Sequence, residues 1–488
     1  MKDVYIIVGL GFGDEGKGNT VNYFARKSDA QMVVRFNGGC QAAHFVTLDN
    51  GESHCCSQFT SASPLGRLSY LSEHMYVEPF ALVEEANVLQ DKVGFSPWDT
   101  IRIHPHCPVV TPYHRLIGQM VELSKGDSRH GSVGLGVGQA VFDFQKKGVK
   151  DALVFGDIDR SLDDSLRKLS TLKGEVKERA EMFVMQNPTN QRLVRRRDEI
   201  NNINPLELTE QYIDILVGLP HPIEDPEGKM FPECFSWGTP TIFEGAQGAL
   251  LDFKGGFWPH VTKSNTTVEN AESLIIWGVG KGSGDFPHTL NVREVGVLRA
   301  YDHRHGPGPF PSEDEALKTF LLEYDNSKNG WQGDFRVGWF DLVMSQYALD
   351  LNKGRIGEIV LTNLDKLSLI PHILICEQYE YTGKLFPLLN EFFEWEHQRS
   401  TNQVFITKII AKERSIEGRQ LLTDLLEDCR PVYSLQCEGW MTDLSKIEKF
   451  EDFPGNARKY IDLLEWHLDV PITIVSKGDS WKDKVERK

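Results

Sequence analysis

The chain has 488 residues, 40% of them hydrophobic and 25% charged, with a formal net charge of −17. This is ordinary globular composition with enough material for a large core, and the acidic balance argues against general nucleic-acid or anionic-membrane binding while leaving room for a small phosphorylated ligand in a local positive pocket. No run of about 18 apolar residues suggests a membrane span, and the short apolar start lacks the basic flank and cleavage site of a signal peptide, so a cytoplasmic location is expected.

The opening reads as strand, loop, helix, strand. Val4 to Val8 is β-branched and aromatic, as a buried strand requires. Gly9 to Gly18 holds five glycines. Val21, Phe24 and Ala25 then supply an apolar helical face, and Met32 to Phe36 is a second strand. Such a βαβ unit predicts a parallel sheet with a right-handed crossover. Further strands are predicted at Ala152 to Phe155, Pro240 to Phe243, Val295 to Leu298, Glu358 to Leu361, His372 to Cys376 and Ile472 to Val475. Leu162 to Gln211 has helical periodicity and much charge. Its basic run, Arg192 to Arg197, is read as a solvated helix face. The simplest organisation is one α/β domain over residues 1–488, with insertions near 165–235 and 380–435.

Eight cysteines without regular spacing, Cys55 and Cys56 among them, read as reduced thiols. His104-Pro105-His106-Cys107 offers metal-ligating types, but no fourth ligand is evident nearby, and the prolines mark a turn.

The loop Gly11-Phe12-Gly13-Asp14-Glu15-Gly16-Lys17-Gly18 follows a strand and opens a helix. Backbone N–H groups in such a loop cradle phosphate oxygens, the helix N-terminus favours negative charge, and Lys17 neutralises it. The spacing fits most of a Walker A pattern. Gly18, however, stands where Ser or Thr would hold magnesium, which leaves Asp14 as the candidate ligand.

Four ordered motifs carry a resemblance. Asp14 to Gly18 is followed by Val34-Arg35-Phe36-Asn37-Gly38-Gly39-Cys40-Gln41-Ala42-Ala43-His44. Phe243-Glu244-Gly245-Ala246-Gln247-Gly248-Ala249-Leu250-Leu251-Asp252 continues to Thr267. Gly306-Pro307-Gly308-Pro309-Phe310-Pro311 and Thr362-Asn363-Leu364-Asp365 complete the set. Together they resemble the adenylosuccinate synthetase family from residue 4 to about residue 480. The resemblance implies a large, mostly parallel central sheet flanked by helices, P-loop-NTPase-like. It implies an enzyme that uses GTP and Mg2+ to phosphorylate the 6-oxygen of IMP, which an amine then displaces.

By that resemblance Asp14 is the base that takes the purine N1 proton and a magnesium ligand. His44 is the acid behind the GDP leaving group, and Gln247 is a donor to the charged purine. Gly13, Glu15, Gly16, Lys17 and Gly18 bind nucleotide phosphates, and the Ala43 carbonyl is a second metal ligand. Asn37, Gln41, Ser132, Val133 and Thr262 line the monophosphate pocket, with Val133 lacking the family's hydroxyl. Lys146 or Lys147 stands for an arginine borrowed from a neighbouring subunit, which implies a homodimer. Asn363, Asp365, Ser476 and Gly478 form the guanine site, with a switch to ATP left open.

The sequence departs from the family at the amino-acid loop. Gly338-Trp339-Phe340-Asp341 fixes the register, and two arginines expected to grip aspartate fall on Gly333 and Phe335. Arg336 survives, Asp334 adds a negative charge, and His303-Arg304-His305 lies close in sequence. Each lost charge-assisted hydrogen bond costs roughly 1.5–3 kcal/mol. The resulting expectation is a ligase using an amine other than aspartate. The alternatives are an authentic synthetase with relocated aspartate contacts and a silent nucleotide sensor.

Overall fold

A computed structural model describes residues 2–126, 132–217, 231, 235, 238–281, 289–321, 333–384 and 387–487. Its main feature is a nine-stranded sheet. In spatial order the strands are Lys484–Glu486, Ile472–Ser476, Glu358–Thr362, Leu290–Arg299, Lys2–Gly9, Thr241–Gly248, Met32–Arg35, Leu68–Leu71 and Ile101–Ile103. Met32–Arg35 pairs in parallel with both of its neighbours, as does Glu358–Thr362. Lys484–Glu486 runs antiparallel at the edge. The expected large, mostly parallel sheet flanked by helices is therefore present.

Burial explains why these segments are strands. Val4, Ile6, Ile7 and Val8 are fully buried. A continuous apolar run is what a parallel strand covered on both faces requires. The helix Lys17–Ser28 follows, with Val21, Phe24 and Ala25 buried and Arg26 and Lys27 in its last turn, where cations suit the dipole.

Two expectations need correction. Ala152 to Phe155 is no strand: Val154 makes one isolated bridge to Pro108, and the helix Phe155–Arg160 begins at once. The Asp157 carboxylate accepts the Val154 N–H at 2.8 Å, so a helix cap overrides β-propensity. His372–Cys376 is a strand, but of a separate three-stranded sheet with Phe340–Asp341 and Leu435–Glu438. The expected helical region resolves into helices Leu162–Gln186, Gln191–Asn202 and Pro205–Val217. There Arg195, Arg196 and Arg197 pair with Glu199, Asp198 and Glu181, the solvated face expected of the basic run.

The chain divides into two compact units. One comprises residues 1–4, 24–246 and 270–291; the other comprises 5–23, 247–269 and 292–488. The second carries, within the region expected as an insertion, a four-stranded sheet of Phe393–Gln398, Gln403–Ile409, Gln378–Tyr381 and Cys429–Val432. Among the described residues, no helix is long and apolar enough to cross a membrane.

Candidate active site

In the second unit the glycine loop is held open by its own glutamate. The buried Glu15 carboxylate accepts the Gly11 and Gly13 N–H groups at 3.0 and 2.9 Å and pairs with Lys17. Thr362 Oγ1 donates to the Glu15 carbonyl at 2.7 Å, tying the loop to a strand end. A Cβ on Gly248 would lie 2.2 Å from the Gly11 carbonyl oxygen, so only glycine permits this approach. Gly13 and Gly16 take φ of +93° and +87°, which glycine adopts without strain.

Asp14 is different. It takes φ of +54°, and Gln247 takes +59°, left-handed conformations that cost energy for a side-chain-bearing residue and cluster at functional sites. The Asp14 side chain is 45% exposed and accepts from His305 Nε2 at 3.1 Å. Burial of its other faces opposes ionisation. The His305 bond and the positive charge of Lys17 outweigh it and hold the carboxyl well below the usual range. Burial and the neighbouring Arg299 keep His303 neutral. Gln247 Oε1 is buried without a hydrogen-bond partner among the described residues. A hard, ionised, half-open oxygen donor at Asp14 fits magnesium.

In the first unit His44 begins the His44–Thr47 strand, and its Nδ1 lies 2.5 Å from Glu244 Oε1. Glu244 is fully buried and accepts from Ser61 N at 2.9 Å and Ser61 Oγ at 2.5 Å, with Arg35 at 3.9 Å. Burial alone would push this carboxyl up, but His44, Arg35 and Ser61 hold it down. An imidazole paired in this way with an ionised carboxylate has its proton on Nδ1, the orientation found in carboxylate-supported proton-transfer groups. Glu244 lay inside the matched motif, but its role was not legible there. Ala43 precedes His44, is exposed, and needs no left-handed φ, so its Cβ leaves the carbonyl usable.

The monophosphate candidates sort by their partners. The Asn37 amide exchanges both bonds with the Ala246 backbone, at 3.0 and 2.7 Å, and so braces the Thr241–Gly248 strand. Gln41 Oε1 is buried without a partner among the described residues. Ser132 Oγ accepts the Gly134 N–H at 3.1 Å; Val133 beside it is half-buried, and Gly131 lies outside the described residues. Thr262 is half-buried, its N–H bonded to the Leu251 carbonyl at 2.9 Å. Lys147 is committed to Asp143 and Glu175, whereas Lys146 is exposed.

At the base pocket, Asp365 Oδ1 is buried without a partner among the described residues, and burial pushes its carboxyl up to about 6. Asn363 holds φ of +58° just before it. Ser476 Oγ donates to the Gly478 carbonyl at 2.8 Å, and Gly478 packs so closely on Asp483 that a Cβ would meet it at 2.6 Å.

At the amino-acid loop, Gly330, Trp331 and Gln332 lie outside the described residues. Gly333 takes φ of +98°. Arg336 is committed: it donates to both Glu313 oxygens at 2.9 and 2.5 Å and to the carbonyls of Gly306 and Gly308 at 3.1 and 2.9 Å. In this structure it braces the loop. Arg304 is likewise buried, bonded to the Pro307, Pro309 and His260 carbonyls, and stacked on Phe12. His305 stands directly across the strand pair from Phe335, with ring centroids 4.9 Å apart. Its Nδ1 is buried without a partner among the described residues.

A glycine-rich loop that leaves a strand of the central sheet and opens the helix Lys17–Ser28 is the arrangement of a P-loop-like fold. The model of the family "Adenylosuccinate synthetase" matches residues 6–485. The chain is 30% identical over 483 residues to an adenylosuccinate synthetase of Desulforapulum autotrophicum, covering 97% of this chain and 96% of that one. It is 29% identical over 494 residues to the enzyme of Halothermothrix orenii, covering 99% and 98%. A fully ligated adenylosuccinate synthetase from Plasmodium falciparum shares the fold, with a TM-score of 0.76 at 23% identity over 99% of this chain and all of that one. The chain belongs to the adenylosuccinate synthetase family.

Proposed function

We propose that the chain joins L-aspartate to IMP at the expense of GTP. The carrying observation is the family match over residues 6–485; Asp14, Lys17, His44 and Gln247 stand in the motifs whose sequence resembles the family's. That match favours aspartate over the other-amine expectation drawn from the loop alone. Asp14 takes the N1 proton of IMP. The 6-oxygen attacks the γ-phosphorus of GTP, and GDP leaves with a proton from His44. Aspartate then adds at C6 and expels phosphate. Gln247 donates to the charged purine, and Lys17 with the amides of Gly16 and Gly18 holds the nucleotide phosphates, since the Gly13 amide is taken by Glu15. Asp14 and the Ala43 carbonyl are the candidate magnesium ligands; when bound, the ion neutralises charge on the phosphate oxygens. Asp365 accepts the N1 and N2 donors of guanine, a match for a buried carboxylate oxygen without a partner. Gln41, Ser132 and Thr262 hold the monophosphate, and Lys146 of a second copy completes it in a homodimer.

The missing arginines need a substitute, and His305 supplies it. His305 stands across the strand pair from Phe335, where one arginine is absent, and as an imidazolium it offers Nδ1–H to an aspartate carboxylate while Nε2–H stays on Asp14. The test is GDP release with IMP, GTP, magnesium and a panel of amines. Turnover that requires L-aspartate supports the proposal. Turnover only with another amine would overturn it in favour of altered specificity, and none with any amine would favour a silent sensor.

A further inference from the structure

Among the described residues, two clusters of metal-ligating side chains lie outside the candidate active site. In one, Glu73, His104 and His106 come together. There His104 Nδ1 accepts the His106 N–H at 3.1 Å, which leaves the proton on Nε2, the atom facing Glu73 at 3.8 Å. A ring nitrogen that carries a proton cannot bind a metal, and Glu73 is 46% exposed.

The other cluster is His54, Cys56 and Glu85, whose ligand atoms lie within 4.8 Å of one another. Its origin is simple. His54 and Cys56 are two apart on the Ser53–Cys56 strand, so they share its buried face. Glu85 comes from the helix Pro79–Val93. Cys56 is fully buried and His54 is 2% exposed. Both His54 ring nitrogens are buried without a hydrogen-bond partner among the described residues. An imidazole N–H and a ring lone pair buried without partners are costly, and native interiors avoid them unless something else fills the site. Glu85 is oriented by the N–H groups of Ser57, Gln58 and Phe59 at 2.9, 2.8 and 3.0 Å. Two of those bonds fall on Oε1 and one on Oε2, which leaves Oε2 a further lone pair, and they fix the ligand as outer-shell bonds do in metal sites.

We propose that His54, Cys56 and Glu85 form a structural Zn2+ site that staples the Ser53–Cys56 strand to the Pro79–Val93 helix. The donor set is one imidazole nitrogen, one thiolate and one carboxylate, which suits zinc, with water as the fourth ligand. On binding, the Cys56 S–H bond breaks, an S–Zn bond forms and the proton goes to solvent. Tetrahedral zinc places such ligands about 3.3–3.8 Å apart at bond lengths of ~2.0–2.3 Å, so small side-chain rotations close the cluster. Cys56 stands opposite His44 in the strand pair, so the staple lies one strand from the proposed acid.

The test uses tag-free, chelator-treated full-length protein in excess magnesium, titrated with Co2+ and then with Zn2+ in competition. One equivalent of Co2+ is expected, with a near-ultraviolet thiolate-to-cobalt charge-transfer band that Zn2+ abolishes. Cys56→Ser should lose the band, and Cys55→Ser should keep it. His54→Ala should weaken binding by more than the ~10–100-fold that outer-shell changes cost. Should Cys56→Ser not fold, His54→Ala and Glu85→Gln carry the reading, together with a Zn2+-dependent rise in melting temperature that these variants lose. No charge-transfer band, a band that survives Cys56→Ser, or unchanged affinity in His54→Ala would overturn the site.

Discussion

Replacing Glu244 by Gln keeps the shape of the side chain and removes its charge. The carboxylate lies 2.5 Å from His44 Nδ1 and has no exposure to water. A hydrogen bond to a charged partner contributes roughly 1.5–3 kcal/mol. At 1.36 kcal/mol per decade, losing it slows a step that relies on the His44 proton by about 10- to 150-fold. The variant also takes a carboxylate away from Arg35, which is fully buried and 3.9 Å from it, and leaves Glu85 as the remaining counter-charge. Breaking a buried pair in this way costs about 3–5 kcal/mol of stability. The Glu244 carboxyl is held below its ordinary value. Its contribution to stability is therefore complete above the unfolded carboxylate pKa and is lost as pH falls through the folded one, so the gap between wild type and variant should close in acid. The assay is GDP formation with IMP and aspartate, alongside denaturant unfolding as a function of pH. A folded variant that forms GDP as fast as wild type would refute the role given to the His44–Glu244 pair.

Asp14→Asn tolerates the same left-handed backbone and should lower GDP formation by at least ~10²–10⁴-fold, with an unchanged melting curve. Asp365→Asn should raise the KM for GTP by about 10- to 150-fold and narrow the preference over ATP. In wild type that KM should rise as pH falls through about 6, where Asp365 takes up a proton; a flat profile would count against the assignment. Gly248→Ala drives a methyl group into the Gly11 carbonyl and should abolish GTP binding, measured by calorimetry. Mixing inactive Asp14→Asn and Lys146→Ala chains should restore activity if the sites are shared between two copies, and no recovery would exclude that arrangement. His305→Ala should raise the KM for aspartate more than that for GTP.

Much of this was legible in the sequence because local chemistry dictated it. The Val4–Val8 run, the glycine loop and the Val21–Phe24–Ala25 face reappear as strand, loop and helix. Leu68–Leu71 and Ile101–Ile103 are too short to show periodicity and were not anticipated. Ala152 to Phe155 misled because a side-chain cap from Asp157 decided the local structure. The commitments of Asn37, Arg304 and Arg336 were hidden, since a polar residue type does not say whether its donors serve backbone or ligand. Glu244 and His305 acquire their roles only from partners far away in sequence, 200 residues in the case of His44 and Glu244.

The most direct measurement follows one atom. IMP carrying heavy oxygen at the 6-position, given to the enzyme with GTP, magnesium and L-aspartate, should transfer that label to the released inorganic phosphate, one atom per adenylosuccinate formed. Unlabelled phosphate, or phosphate released while the label stays on the purine, would contradict phosphorylation of the 6-oxygen.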